Sequence, residues 1–178
     1  MTIRTAILSA GVLATAVLFA TAHAEVKASD RAQISKGYKL AAAAMHKMDM
    51  RELSKGMTND FSFTQNGQTG NKADTTRTIL DTWTRLGMMR KFNAGFIPAK
   101  FTQKGKNVLV NCIYSFSGTS VDSVDGSKIH HMSDTGTCVD IWTKVNGHWM
   151  LKAISVKTDT MTMDHSGSWP GWPTNPWR

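Results

Sequence analysis

From Ser29 onward the apolar positions recur at helical spacing. Ile34, Tyr38, Ala41, Ala42 and Met45 form one stripe, and the run "LAAAAMHKM" is made of strong helix formers. Ser29-Asp30 reads as the helix start. Asp49-Met50-Arg51-Glu52 has the form of a capping box with an acidic cap, so a short second helix is predicted to about Lys55, stopped by Gly56. "DFSFTQ" alternates Phe61 and Phe63 with polar residues and predicts a short strand, and "NGQTGNK" reads as a loop. A third helix is predicted over 73–88, with Ile79, Leu80, Trp83 and Leu86 as its apolar stripe.

From Phe92 the period changes from 3.6 to 2. Strands are predicted at about 93–103, 107–120, 128–145 and 148–160, with tight turns at Lys104-Gly105-Lys106 and Asn146-Gly147. Pro98 inside the first of these marks an edge position or a bulge. The tail "HSGSWPGWPTNPWR" has no period and reads as an extended Trp- and Pro-rich appendage, spanning 161–178 with the residues before it. Helices first, then a run of long strands, is the α+β pattern, with N-terminal helices packed on one face of a curved antiparallel sheet.

The first 24 residues change the picture before any fold reasoning. Arg4, an apolar run and Ala22-His23-Ala24 are the charged region, apolar core and cleavage signal of a secretory peptide. The protein is therefore expected to be exported, to the periplasm or the medium, with no membrane segment after cleavage. Removing 1–24 from the 178 residues leaves 154, enough for one domain with a real core, read as 25–160. The net charge falls only from +8 to +7, because Arg4 alone leaves with the signal. The remaining Lys and Arg are spread along the chain, so no nucleic-acid footprint is expected. Glycine-rich phosphate loops, a nucleophile elbow and zinc spacing are all missing from the sequence, so no cofactor or metal is expected. His130 and His131 are adjacent on a strand and face opposite ways, so they cannot chelate one ion together. Asp164-His165 is an isolated pair in the tail, and His46 follows the helix stripe as a cap-region or surface residue.

Export also makes a disulfide between Cys112 and Cys138 the expected state. A three-residue turn at Val124-Asp125-Gly126 pairs Ser123 with Ser127 and, stepping outward, Cys112 directly with Cys138. A two-residue turn would shift the register by one and send the cysteines to opposite faces. The alternative is two buried free thiols acting as small hydrophobes. In the first register Cys112, Tyr114, Phe116, Cys138, Asp140 and Trp142 share one sheet face. Leu109, Ile113, Val139, Ile141 and Val145 share the other. A sheet that is apolar on both faces needs two coverings. Helices supply one, and a second subunit docked sheet to sheet supplies the other, so a homodimer is expected; the Trp-rich tail is the alternative cover.

The order of elements, with "YKLAAAAMHKMDMRELSKGMTNDFSF" at the start and "TCVDIWTKVNGHWMLKAISV" at the end, resembles the nuclear transport factor 2-like superfamily, in its SnoaL-like and ketosteroid isomerase-like group. The resemblance covers about 30–160. It implies a half-open cone with an apolar pocket, and it turns Asp140 into that pocket. Tyr114 would lie on the same face, Tyr38 and Trp83 on the helical wall, Phe61 and Phe63 near the mouth or floor, and Trp142 beside Asp140. The fold hosts many activities, so function must come from the site. The expected function is an exported binding domain for a small apolar or aromatic ligand with a polar head. The alternatives are a lyase, isomerase or cyclase with Asp140 as acid/base and Tyr114 or Tyr38 assisting, and a dimeric interaction scaffold. The absence of a second placeable pocket acid weakens the enzyme alternative.

Overall fold

The computed structural model describes residues 25–85, 89–121 and 129–163. Residues 1–24, read above as a signal peptide, the 124–126 turn and the tail beyond Met163 lie outside the described residues. Helix α1 (Ala28–His46) leads through a short bend to α2 (Met50–Lys55). Strands β1 (Met57–Gln65) and β2 (Gln68–Asn71) follow, then α3 (Lys72–Arg85) and four long strands: β3 (Met89–Lys104), β4 (Asn107–Val121), β5 (Ile129–Val145) and β6 (His148–Met163). They form one curved six-stranded sheet in the order β2-β1-β6-β5-β4-β3, with the helices on its inner face.

Local chemistry explains most boundaries. The Asp49 side chain accepts from the Glu52 amide at 3.0 Å, so the acidic cap does start α2. Asn146 and Gly147 both adopt positive φ, 50° and 81°, as the two-residue turn between β5 and β6 requires. Asn66 and Gly67 do the same, at 52° and 78°. "NGQTGNK", read as a loop, is therefore a hairpin turn followed by β2. Pro98 lies on the edge strand β3, at a register shift between Pro98 and Lys100, so it is both at an edge and at a bulge.

The sheet departs from the expected all-antiparallel pattern at one pair. β1 runs parallel to β6, with Phe63 beside Ile154, because β2, α3 and three further strands intervene before the chain returns. On α3 the inner residues are Thr75 and Trp83, whereas Leu80 is exposed rather than part of the apolar stripe. β6 continues through Met163, so the first three residues assigned to the tail are strand. Among the described residues no helix is long and apolar enough to cross a membrane.

Two apolar clusters fill the inner face. One gathers Met45, Met50, Leu53, Met57, Phe61, Trp83, Met89 and Phe92, where the end of α1 meets α2, α3, β1 and β3. The other holds Val26, Ile34, Tyr38, Val108, Val110, Cys112, Tyr114, Cys138 and Trp142, between the first half of α1 and strands β4 and β5. Asp30 pins the start of α1 to the β5–β6 hairpin, accepting from Lys144 Nζ at 2.8 Å and Trp149 Nε1 at 2.9 Å.

Candidate functional site

The register that the cysteines imply is the observed one. Cys112 opposes Cys138, Val110 opposes Asp140 and Val108 opposes Trp142. The side chains of this layer point inward beneath α1 and are buried. Both cysteines are free thiols here: the pairing that a disulfide needs is present and the bond is not formed. The two Sγ atoms and an Asp140 carboxylate oxygen all lie within 4.8 Å of one another. Three such side chains could serve as metal ligands, and among the described residues no fourth His, Cys, Asp or Glu joins the group.

Asp140 is 2% exposed. Tyr38 donates its hydroxyl to Asp140 Oδ2 at 2.6 Å, and Trp142 Nε1 donates to the Tyr38 oxygen at 3.1 Å. The Trp142 ring packs edge-on to Tyr38 with centroids 5.0 Å apart. Gly37 makes this approach possible, since a Cβ there would lie 2.7 Å from the indole. The second carboxylate oxygen, Oδ1, has no hydrogen-bond partner, and the Cys138 thiol near the carboxyl is a weak donor. Burial raises the Asp140 pKa to about 6, against the opposing hydrogen bonds from Tyr38 and Cys138. Burial and the Asp140 charge push the Tyr38 phenol up, so it stays a donor. Its partner thiol and burial push Cys138 up as well.

A continuous aromatic run leads from this layer toward the other cluster. Tyr38 meets Phe96 at 5.7 Å, Phe96 meets Phe116 at 5.8 Å, and Phe116 stacks on Tyr114 at 5.2 Å and on Phe92 at 5.8 Å. Trp83 then closes on Phe92 at 6.3 Å. Asp134 stands opposite Phe116 in the β4–β5 ladder, on the same inward parity of β5 as Cys138 and Asp140. It is only partly buried, yet its Oδ1 is buried without a hydrogen-bond partner. Burial first, and the Asp159 charge second, raise Asp134 to about 6. Burial, then Asp134 and Asp159, push the Tyr114 phenol up. The Tyr114 hydroxyl reaches only a long contact of 3.4 Å to the Thr158 carbonyl. Gly136 lies opposite Tyr114 and leaves it room, because a Cβ there would be 2.5 Å from the phenolic oxygen.

The residues singled out from sequence thus separate. Tyr38, Asp140 and Trp142 form one buried network with Cys112 and Cys138. Tyr114 belongs to a second, more open group with Asp134. Phe61 is 1% exposed and is core. Phe63 packs partly buried against that core, and Trp83 lies at the far end of the aromatic run. Sequence reasoning missed Asp134, although its even spacing from Asp140 along one strand was the available signal.

No family model and no curated protein matches the chain. Solved structures do. A scytalone dehydratase-like protein from Novosphingobium aromaticivorans is 12% identical with a TM-score of 0.63, over 79% of this chain and 91% of that one. A type 2 hexachlorocyclohexane dehydrochlorinase is 14% identical with a TM-score of 0.58, over 81% and 96%. A nuclear transport factor 2-like protein from Cytophaga hutchinsonii is 17% identical with a TM-score of 0.52, over 71% and 95%.

Proposed function

We propose that this chain, which has the nuclear transport factor 2-like fold, is an exported domain that binds a small apolar or aromatic ligand with a hydrogen-bond-donating head. One observation carries the reading. Asp134 offers a partly buried carboxyl, with one oxygen lacking any donor, beside the weakly engaged Tyr114 hydroxyl and at the end of a run of stacked aromatic rings. An unpaired buried acceptor costs about 1–3 kcal/mol, which a ligand hydroxyl or amine recovers. The rings beside it supply the apolar wall that small-molecule sites use. The signal-like first 24 residues support export.

The outer face supports a homodimer. Ile97 and Ile113 oppose each other in the β3–β4 ladder and are 63% and 47% exposed. A second copy docked sheet to sheet covers this strip.

Acid/base catalysis is the second reading, as a lyase or isomerase. It is favoured by two carboxyls raised to about 6 on one face, each near a phenol. Two of the structural neighbours are named for elimination reactions. Asp134 is the better-placed acid, since Asp140 is sealed under α1.

Native mass spectrometry of the protein purified from the exported fraction tests the binding reading. A retained species of a few hundred daltons in the wild type, lost in Phe116→Trp, is expected. Bare masses in both count against it.

A further inference from the structure

A second property resides in the thiol layer and stands independently of the ligand reading. The two cysteines face each other in register, 1% and 5% exposed, and their sulfurs lie within 4.8 Å of each other and of an Asp140 oxygen. A disulfide needs about 2.05 Å between sulfurs, and opposed strand residues have Cβ atoms close enough to reach it by side-chain rotation. Asp140 sits two residues beyond Cys138 on the same face, with Oδ2 held by Tyr38, Oδ1 without a hydrogen-bond partner, and the Cys138 thiol beside the carboxyl.

We infer that Cys112 and Cys138 are a dithiol–disulfide couple whose oxidation state controls the proton on Asp140. Oxidation breaks both S–H bonds and joins Sγ to Sγ. Two protons are released, and two electrons pass to an exchanging disulfide, which leaves as two thiols. The reaction replaces the Cys138 S–H, a weak donor beside the carboxyl, with a sulfur that cannot donate. Tyr38 alone then supports the charged form of a carboxyl that burial already opposes.

The surroundings leave few other groups to compensate. α1 offers Tyr38, β4 offers Cys112, β5 offers Cys138 and the Trp142 indole, and β6 opposes Asp140 with Ile154. No lysine, arginine or histidine side chain among the described residues forms an ion pair with Asp140. The raised position of Asp140 fits such a site and is set mainly by burial. Because the Tyr38 and Trp142 hydrogen bonds hang from Asp140, the redox state of the thiols reaches the contact between α1 and β5.

The test compares one protein in two states. Wild-type protein is refolded in reduced or in oxidised glutathione. Intact mass and thiol counts after denaturation read the bond. The Asp140 carboxyl is titrated by carbon NMR, with Asp140→Asn giving the assignment. Complete disulfide formation in oxidised glutathione is expected, with the Asp140 midpoint about one pH unit higher than in the reduced form. Cys138→Ala, which removes the donor without making a bond, moves the reduced midpoint in the same direction. Equal midpoints in the two forms overturn the inference. So do thiols that stay free through refolding in oxidised glutathione, whether bare or protected by a bound metal ion.

Discussion

Tyr38 donates its hydroxyl to Asp140 over 2.6 Å and so joins the middle of α1 to the middle of β5, across 102 residues of chain. A phenol is the right partner for a buried acid of this kind. It donates to the carboxylate, accepts from Trp142, and carries no charge of its own to desolvate. Tyr38→Phe keeps the ring and removes the donor. The expected loss is about 1.5–3 kcal/mol at pH 7, the range for hydrogen bonds to charged groups. Denaturant unfolding measures it. The loss shrinks below pH 6, where Asp140 is protonated in the folded protein.

Asp140 makes stability depend on pH with a definite sign. Its folded pKa, about 6, lies above the ordinary 3.8, so the folded chain holds the proton more tightly than the unfolded chain. That contribution is fully present below about pH 4 and is lost as pH rises through about 6, at a total of about 3 kcal/mol. Asp134 acts in the same direction, with a smaller effect because solvent reaches it. Asp140→Asn, which cannot ionise, flattens the profile and raises stability at pH 7 by about 1–3 kcal/mol relative to wild type. Urea midpoints from pH 4 to pH 8 measure both effects.

Gly37 and Gly136 are both sites where alanine does harm for a stated reason. In an exposed helix Gly→Ala gains about 1 kcal/mol. At Gly37 the new methyl would meet Trp142 at 2.7 Å and displace the ring that donates to Tyr38. Gly37→Ala is therefore expected to lower Tm by several degrees, on the order of 1–3 kcal/mol of overpacking. Gly136→Ala meets both the Tyr114 ring and the Thr158 backbone carbonyl. Adding Tyr114→Ala removes only the first obstacle, so the double variant stays destabilised relative to Tyr114→Ala alone. Thermal melts of the three chains decide it.

Ile97→Asp or Ile113→Asp introduces a charge into the exposed strip of the outer face. Light scattering after size exclusion is expected to give a dimer for the wild type and a monomer for either variant, with the fold retained by circular dichroism. A wild-type monomer at micromolar concentration would leave the strip without the cover proposed for it.

Much of this arrangement was legible in the chain, and the exceptions have physical causes. Alternation along β4 and β5, with two cysteines to fix the pairing, placed Tyr114, Asp140 and Trp142 on one face, and the ladder agrees. The Asn-Gly turn at 146–147 was read correctly. The same dipeptide at 66–67 gives no comparable hairpin signal, because the strand after it, Gln68–Asn71, has no apolar side chain to announce it. The parallel contact of β1 with β6 has no local signature, since it is set by how α3 and four strands fold between them. Asp134 was hidden for a related reason. Its parity was readable, but its value depends on Phe116 across the ladder and Asp159 on the next strand.

In the proposed ligand site, Asp134 and Tyr114 form the polar end of an aromatic wall. Ligand-observed NMR against a panel of aromatic and alicyclic compounds of about 10–15 non-hydrogen atoms tests it most directly. The panel carries matched sets with hydroxyl, amine, carboxylate or no polar head. Binding confined to hydroxyl and amine heads, weakened about tenfold by Asp134→Asn and abolished by Phe116→Trp, is the predicted result. No binding by any compound, or binding that neither substitution changes, would contradict it.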